Sequence, residues 1–146
     1  VTAPRQICTF RVHDHQLGVD VAQVQEVLRE QPMTPVPLAP AVVSGLINLR
    51  GQIVTAVDLR RRLDLPPRPS DQPPLNLVVR VGGGLQSLLV DDIGDVIDVD
   101  RDRFEAPPGT LSATWRAVVD GVYQQHPDLV LVLDVEATTR LESPTS

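Results

Sequence analysis

The chain holds 146 residues, near the usual size of one domain, and its 42% apolar and 22% charged content is globular rather than disordered. Its 13 basic residues are all arginine, set against 14 Asp and 5 Glu, and the net charge of -6 argues against nucleic-acid and anionic-lipid partners. One cysteine, Cys8, excludes an internal disulfide and points to a reducing compartment, while the longest uncharged run, Gln31 to Leu49, is broken by Pro32, Pro35, Pro37 and Pro40 and is no membrane span.

Valine occurs 23 times, with 14 prolines and 9 glycines as punctuation, which predicts an all-β chain of short elements. Alternation over residues 7–12 predicts a first strand, His13-Asp14-His15-Gln16 a turn, and Leu17-Gly18-Val19 the return. Asp20 reads as the N-cap of a short amphipathic helix carrying Val21, Val24, Val27 and Leu28, with Gln23 at capping-box spacing. The proline-studded stretch from Pro32 to Pro40 predicts an extended crossing, followed by a turn of helix at Ala41-Val42-Val43. Strands over 46–50 and 52–57 flank Gly51, which marks a tight turn, a bulge or a sharp bend. Asp58 caps a short helix over 59–63 whose Arg60, Arg61 and Arg62 are expected to face water.

Pro66 to Pro74 reads as a linker dividing the strands between two small lobes. Beyond it the pattern predicts strands over 75–81, 85–90 and 93–99, the first two joined by a Gly82-Gly83-Gly84 hairpin. Strands over 117–123 and 129–133 follow, with a polar turn over 124–128. Asp134 caps a last helix over 135–141, and 142–146 read as a tail.

Few residues look chemical. On a strand, His13 and His15 would share a face and could hold zinc, but two ligands do not close a site and His126 brings no cysteine with it, so the cluster reads as a solvated hairpin turn. Asp91, Asp92, Asp95, Asp98, Asp100 and Asp102 lack the glycine and closing glutamate of a calcium loop and read as a solvated strand edge. The triple glycine precedes no phosphate-binding lysine, Cys8 reads as a buried inert thiol, and no Gly-x-Ser-x-Gly nucleophile exists. Arg50, beside Gly51, offers a planar fork of donors to a partner's carboxylate or carbonyls, or else pairs with Glu26 or Asp58 as an ordinary surface arginine.

The run Val43-Ser44-Gly45-Leu46-Ile47-Asn48-Leu49-Arg50-Gly51-Gln52-Ile53-Val54-Thr55-Ala56-Val57-Asp58-Leu59-Arg60 resembles the signature block of CheW-like domains, the coupling modules of bacterial chemosensory arrays. Phe10 with Leu17-Gly18-Val19-Asp20, Val24-Gln25-Glu26-Val27, Thr34-Pro35-Val36-Pro37, residues 89–96, Val119-Asp120-Gly121-Val122 and Leu131-Val132-Leu133-Asp134 extend the likeness over residues 6–141. The resemblance implies two five-stranded SH3-like β-barrel lobes packed around a hydrophobic junction. It places lobe 1 at about 18–70 and lobe 2 at about 75–134 with strand 6–12 contributing, and leaves 1–5 and 142–146 as flexible tails. It further implies a cytoplasmic, non-catalytic adaptor without cofactor or metal, recruited to membrane-associated receptor arrays. One surface would bind the cytoplasmic hairpin tip of chemoreceptors through Val24, Glu26, Gly45, Asn48, Arg50 and Val96. The lobe ends would bind the regulatory domain of a CheA-type histidine kinase through residues that the likeness does not identify.

Asp92 departs from the family's frequent glycine, and Trp115 has no evident counterpart, reading as core in preference to interface. Two other readings stay open: a CheW-like domain cut from a kinase or larger protein, or acting as a decoy adaptor in a non-flagellar pathway; and a metal-dependent enzyme using His13, His15 and the aspartates.

Overall fold

The computed structural model describes residues 5–125 and 128–140. Among these the chain is mostly β-strand, with a few short helices. In order it runs β1 (Arg5–Val12), β2 (His15–Asp20), β3 (Val24–Leu28), β4 (Val43–Leu49), β5 (Gln52–Asp58), α1 (Leu59–Arg62), β6 (Leu75–Val81) and β7 (Gly84–Val90). It continues through β8 (Asp92–Val99), β9 (Phe104–Glu105), α2 (Ala113–Arg116), β10 (Val119–Gln125), β11 (Asp128–Leu133) and α3 (Val135–Thr139).

The strands form two mixed sheets, ordered β3-β6-β7-β5-β4 and β8-β1-β2-β11-β10-β9. Leaving aside the two-residue β9, the two orders are the same architecture. In each, an antiparallel edge strand meets an antiparallel hairpin, the hairpin's second strand runs parallel to the next strand, and that strand pairs antiparallel with the last. Local features repeat as well. Gly45 and Gly121 each sit at a register shift near the start of β4 or β10, and Asp58 and Asp134, equally far downstream, each cap the helix that follows. The six-stranded sheet is the permuted copy, because its central hairpin β1–β2 comes from the start of the chain and its other strands from the end.

This arrangement moves the expected lobe boundaries. Strand β2 belongs with β8–β11, since a two-residue turn obliges it to pair with β1, and β6–β7 belong with β3–β5. The chain changes sheets at Asp20–Val24 and at Asp91, so the proline-rich segment is a strap over one sheet rather than a boundary.

The largest hydrophobic core lies between the sheets. Cys8, Phe10, Val12, Leu17 and Val19 meet Val57, Leu59, Leu63, Leu77, Val79, Leu88 and Val90 there, sealed by Val118, Leu133 and Val135. Each sheet keeps only a small interior of its own, Ile7, Val99, Tyr123, Val130 and Val132 in one and Ile47, Leu49, Val54 and Val78 in the other. Burial pushes the Cys8 thiol above its usual range, which suits an inert core residue. The expected apolar junction is therefore the main core.

Several local expectations change. Asp20 caps only one 3-10 turn, Val21–Gln23, after which Val24–Leu28 extend as a strand whose alternate residues turn inward. The β-branched valines that suggested a helical stripe fit this pleat better. Ala41 and Val42 lie in a turn closed by the Val43 N–H donating to the Pro40 carbonyl, and β4 starts at Val43. Ala113–Arg116 form a helix ahead of β10, Arg5 is already in β1, and α3 is assigned through Thr139. His126, Leu141 and the expected tail segments 1–4 and 142–146 lie outside the described residues.

Arg60 and Asp91 depart most from expectation. Arg60 is 6% exposed rather than water-facing, and Asp91 is no solvated edge. Arg60 Nη2 donates to Asp91 Oδ2 at 2.6 Å and its Nε lies 3.1 Å from Oδ1, while its Nη1 reaches the carbonyls of Pro66 and Pro67. Arg68 Nε donates to Asp91 Oδ1 at 2.9 Å, and the His13 backbone N–H donates to Oδ2 at 2.6 Å. One carboxylate thus ties α1, the strap and the β1–β2 turn. Arg62 adds a second tie across the junction, donating to the carbonyls of Ala137 and Thr138 at the end of α3.

Burial disfavours the charged form of Asp91, but the hydrogen bonds from Arg60, His13 and Arg68 outweigh it and hold the carboxyl below its usual range. A depressed carboxyl contributes stability above its unfolded value of about 3.9, and that contribution is lost as pH falls toward the folded value. Asp91→Asn is therefore expected to flatten the stability–pH curve below about pH 4, and Asp91→Ala to cost about 3–5 kcal/mol by stranding two arginines, both read by chemical denaturation. At Gly121 a Cβ would press into the Phe104 ring and come within 2.7 Å of the Glu105 carbonyl oxygen. Gly121→Ala is expected to cost about 1–3 kcal/mol. Gly109→Ala, with nothing within 4 Å, should leave the melting temperature unchanged.

Candidate functional site

Strands β4 and β5 are joined by the two-residue turn Arg50-Gly51, with φ of 52° and 86° at the two positions. Two successive positive φ angles give the turn type whose twist matches a hairpin, and it commonly carries Asn-Gly. Here arginine takes the first position. Its neighbour Asn48 stabilises the turn, the side-chain oxygen accepting from the Gly51 N–H at 2.8 Å.

The Arg50 side chain then makes a forked pair with Glu26, Nη1 to Oε1 at 2.6 Å and Nη2 to Oε2 at 2.8 Å. Of the two partners foreseen for Arg50 it takes Glu26. Glu26 stands on β3 and Arg50 follows β4, the two end strands of one sheet, so the pair forms only because that sheet curls until its ends meet. A backbone bridge reinforces the closure, with Thr34 and Leu46 exchanging N–H···O bonds of 2.9 and 2.8 Å. This is the physical content of the barrel-like lobe. The Arg50 hydrogen bonds hold the Glu26 carboxyl below its usual range, and Glu26 in turn raises the guanidinium.

Arg50 remains 71% exposed while paired, so one face of its planar cation stays open to a partner. Ile53, directly across the hairpin from Asn48, is 61% exposed. The corner thus sets a cation, an anion, an amide and an open aliphatic residue side by side.

The remaining candidates fall in different places. Val24 is half-buried against the junction core, two residues before Glu26. Gly45 is buried, and a Cβ there would lie 2.9 Å from the Thr34 carbonyl oxygen, so it lets the crossing segment lie against β4. Val96 stands on β8 of the other sheet, opposite Cys8, and is 51% exposed. Glu26, Asn48 and Arg50 are thus gathered at one corner, while Gly45 and Val96 are not part of it. Ile53 was missed. Its strand alternation was visible, but which face the curled sheet would leave open was not.

His15 packs edge-on against Trp115 with ring centroids 4.8 Å apart, and Trp115 Nε1 donates to the Leu63 carbonyl at 3.1 Å. Trp115 is therefore a staple across the junction. Among the described residues no group of three or more His, Cys, Asp or Glu side chains is arranged to hold a metal ion, and no helix is long and apolar enough to cross a membrane.

Known proteins share this chain's sequence pattern and fold. The chemotaxis protein CheW of Treponema pallidum is 28% identical over 134 residues, covering 89% of this chain and 79% of that protein. The chemotaxis protein CheW of Bacillus subtilis is 26% identical over 141 residues, covering 97% and 90%. The crystal structure of the scaffolding protein TtCheW from Thermoanaerobacter tengcongensis superposes with a TM-score of 0.86 at 26% identity, over 95% of this chain and 94% of that one. The CheW-like domain profile matches residues 6–142, so with this sheet order and this signature hairpin the chain belongs to the CheW-like domain family.

Proposed function

We propose that the chain is a non-catalytic adaptor that couples chemoreceptors to a CheA-type histidine kinase in a bacterial chemosensory array. The observation that carries this reading is the Glu26–Arg50 corner. It is a pre-set, exposed, forked ion pair with an open aliphatic neighbour, on a protein whose relatives are named for chemotaxis and scaffolding. The receptor's cytoplasmic hairpin tip would lie along this corner, its polar edge on Arg50 and its apolar edge on Ile53 and Val24. Val96, on β8, would contribute if the tip extends across to the second sheet, and Gly45 serves by shaping β4 rather than by contact. The regulatory domain of the kinase would take a separate surface. The protein would work in the cytoplasm and reach the membrane through the receptors it binds.

An exposed ion pair contributes little to folding, because water and salt screen both charges. Arg50→Ala is therefore expected to leave the melting temperature nearly unchanged while weakening binding to a receptor hairpin tip by about tenfold or more. A large loss of thermal stability would instead make Arg50 a structural residue and end its assignment to the receptor site.

Titration against the regulatory domain of a CheA-type kinase from the same organism is expected to give saturable one-to-one binding. Reconstituted receptor–kinase assemblies containing the chain should then restore receptor control of kinase activity. Binding without that control would favour a decoy adaptor or a domain cut from a kinase, and no binding to any cognate kinase would refute the coupling role.

A further inference from the structure

Between the proline strap and the segment that crosses to β4 lies a groove of about 710 Å³. Small-molecule sites usually hold about 300–1,000 Å³. Pro32, Met33, Pro69 and Leu89 give the groove apolar surfaces, while Asp58, Arg61 and Arg68 bring charge to it. No residue of the Glu26–Arg50 corner lines it.

Arg68 is the unusual member. Its side chain is 10% exposed, and its Nε is committed to Asp91 Oδ1 at 2.9 Å. Its Nη2 is closed off from solvent and finds no hydrogen-bond acceptor in the protein. Asp58 Oδ1 lies 3.9 Å from that nitrogen and already accepts the Arg60 backbone N–H at 3.0 Å. Arg61, 61% exposed, approaches the same carboxylate from its other oxygen, with Nε 3.8 Å from Oδ2. Both contacts are ion pairs longer than a hydrogen bond, so Asp58 offsets charge without filling either donor. Buried donors are nearly always satisfied, and one left open beside a groove calls for an acceptor there.

The local charge count agrees. Arg60, Arg61 and Arg68 converge on two carboxylates, Asp58 and Asp91, which leaves one cation in excess. Glu30 also lines the groove, but it is exposed, where water and salt screen its charge. A single excess positive charge suits a ligand with a single negative one. The strap can admit it. Among the described residues, the strap beyond Arg68 makes one hydrogen bond, from the Gln72 N–H to the Pro69 carbonyl within its own turn, so an outward shift breaks no bond to the sheet.

We propose that this groove binds a small carboxylate, whose oxygens accept from Arg68 Nη2 and Arg61 while its apolar body lies along Pro32, Met33 and Pro69. The site is independent of the coupling role. The test is titration calorimetry of the full chain with benzoate, with its neutral counterpart benzamide, and with inorganic phosphate. Benzoate should bind saturably at one per chain, and the other two at least about tenfold more weakly. Asp58→Asn keeps a good cap on α1 and removes the competing carboxylate, so it should tighten benzoate binding. Arg68→Lys keeps a cation for Asp91 but removes the second arm of the fork, so it should weaken binding about tenfold. Because Arg68→Lys could also loosen the Asp91 tie, the Arg68 guanidinium NMR signals are followed in the unaltered chain and should shift as benzoate is added. Signals that stay in place would overturn the site, as would absence of benzoate binding or affinity unchanged in both variants. Equal binding of benzamide would reduce the groove to an apolar crevice, and phosphate binding as tightly as benzoate would overturn the carboxylate assignment.

Discussion

Asp91 is the point where the two sheets are held in one relative position. It lies in the single-residue step from β7 to β8, so its backbone belongs to the crossing between sheets while its carboxylate gathers the β1–β2 turn, α1 and the proline strap. The apolar junction between the sheets supplies the larger stabilisation, but apolar packing is non-directional and tolerates sliding. A carboxylate held by the Arg60 fork, a single Arg68 bond and a backbone donor does not. The buried charges cost solvation to place there, and what they return is orientation. Under the proposed coupling role, such a fixed orientation would relate the placement of one partner to that of the other.

The repeated topology explains why that junction is the main core. A five-stranded sheet of about 60 residues buries too little surface to be secure alone, and each interior cluster here is small. Two copies packed face to face share the deficit, and the permutation adds to it by placing the N-terminal hairpin in the centre of the sheet built from the C-terminal strands. Neither sheet can be completed without the whole chain. The same curling that buries each interior brings β3 and the β4–β5 turn together, so the Glu26–Arg50 pair follows from barrel closure rather than from anything local.

What the sequence made legible divides along this line. Short-range devices were readable: the Asp58 and Asp134 caps, the Gly82-Gly83 turn, the tight turn at Gly51 and most strands follow from local spacing. Long-range pairings were not. Arg60 sits in a run of three arginines, and nothing within that run tells which will turn inward to Asp91, 31 positions away. The helix expected after Asp20 failed for a related reason, since valines at three- and four-residue spacing also satisfy a strand once β6 is available to pair. The candidate site was partly legible. Asn48 and Arg50 lie in one signature hairpin and Glu26 was one of two partners expected for Arg50, but the choice of Glu26 over Asp58 and the exposure of Ile53 depend on how the sheet curls.

The energetics of the exposed features suit assembly by many modest contacts. The Glu26–Arg50 pair is exposed, so a partner that engages Arg50 gives up little existing stabilisation and gains correspondingly little from the charge alone. The chain offers few aromatic residues, 3% in all, from which to build a dense hot spot. Single contacts of this kind give affinities that reverse readily. When one adaptor meets two partners that are themselves arrayed, however, the second contact forms at high effective concentration, and overall binding strengthens without any new interaction. Rigid lobes make that gain possible, because a flexible junction would spend it on the freedom lost when both contacts form at once. Under the proposed role, the Asp91 tie and the exposed Glu26–Arg50 corner would act together, stiffness inside letting individually weak surface contacts hold firmly in combination.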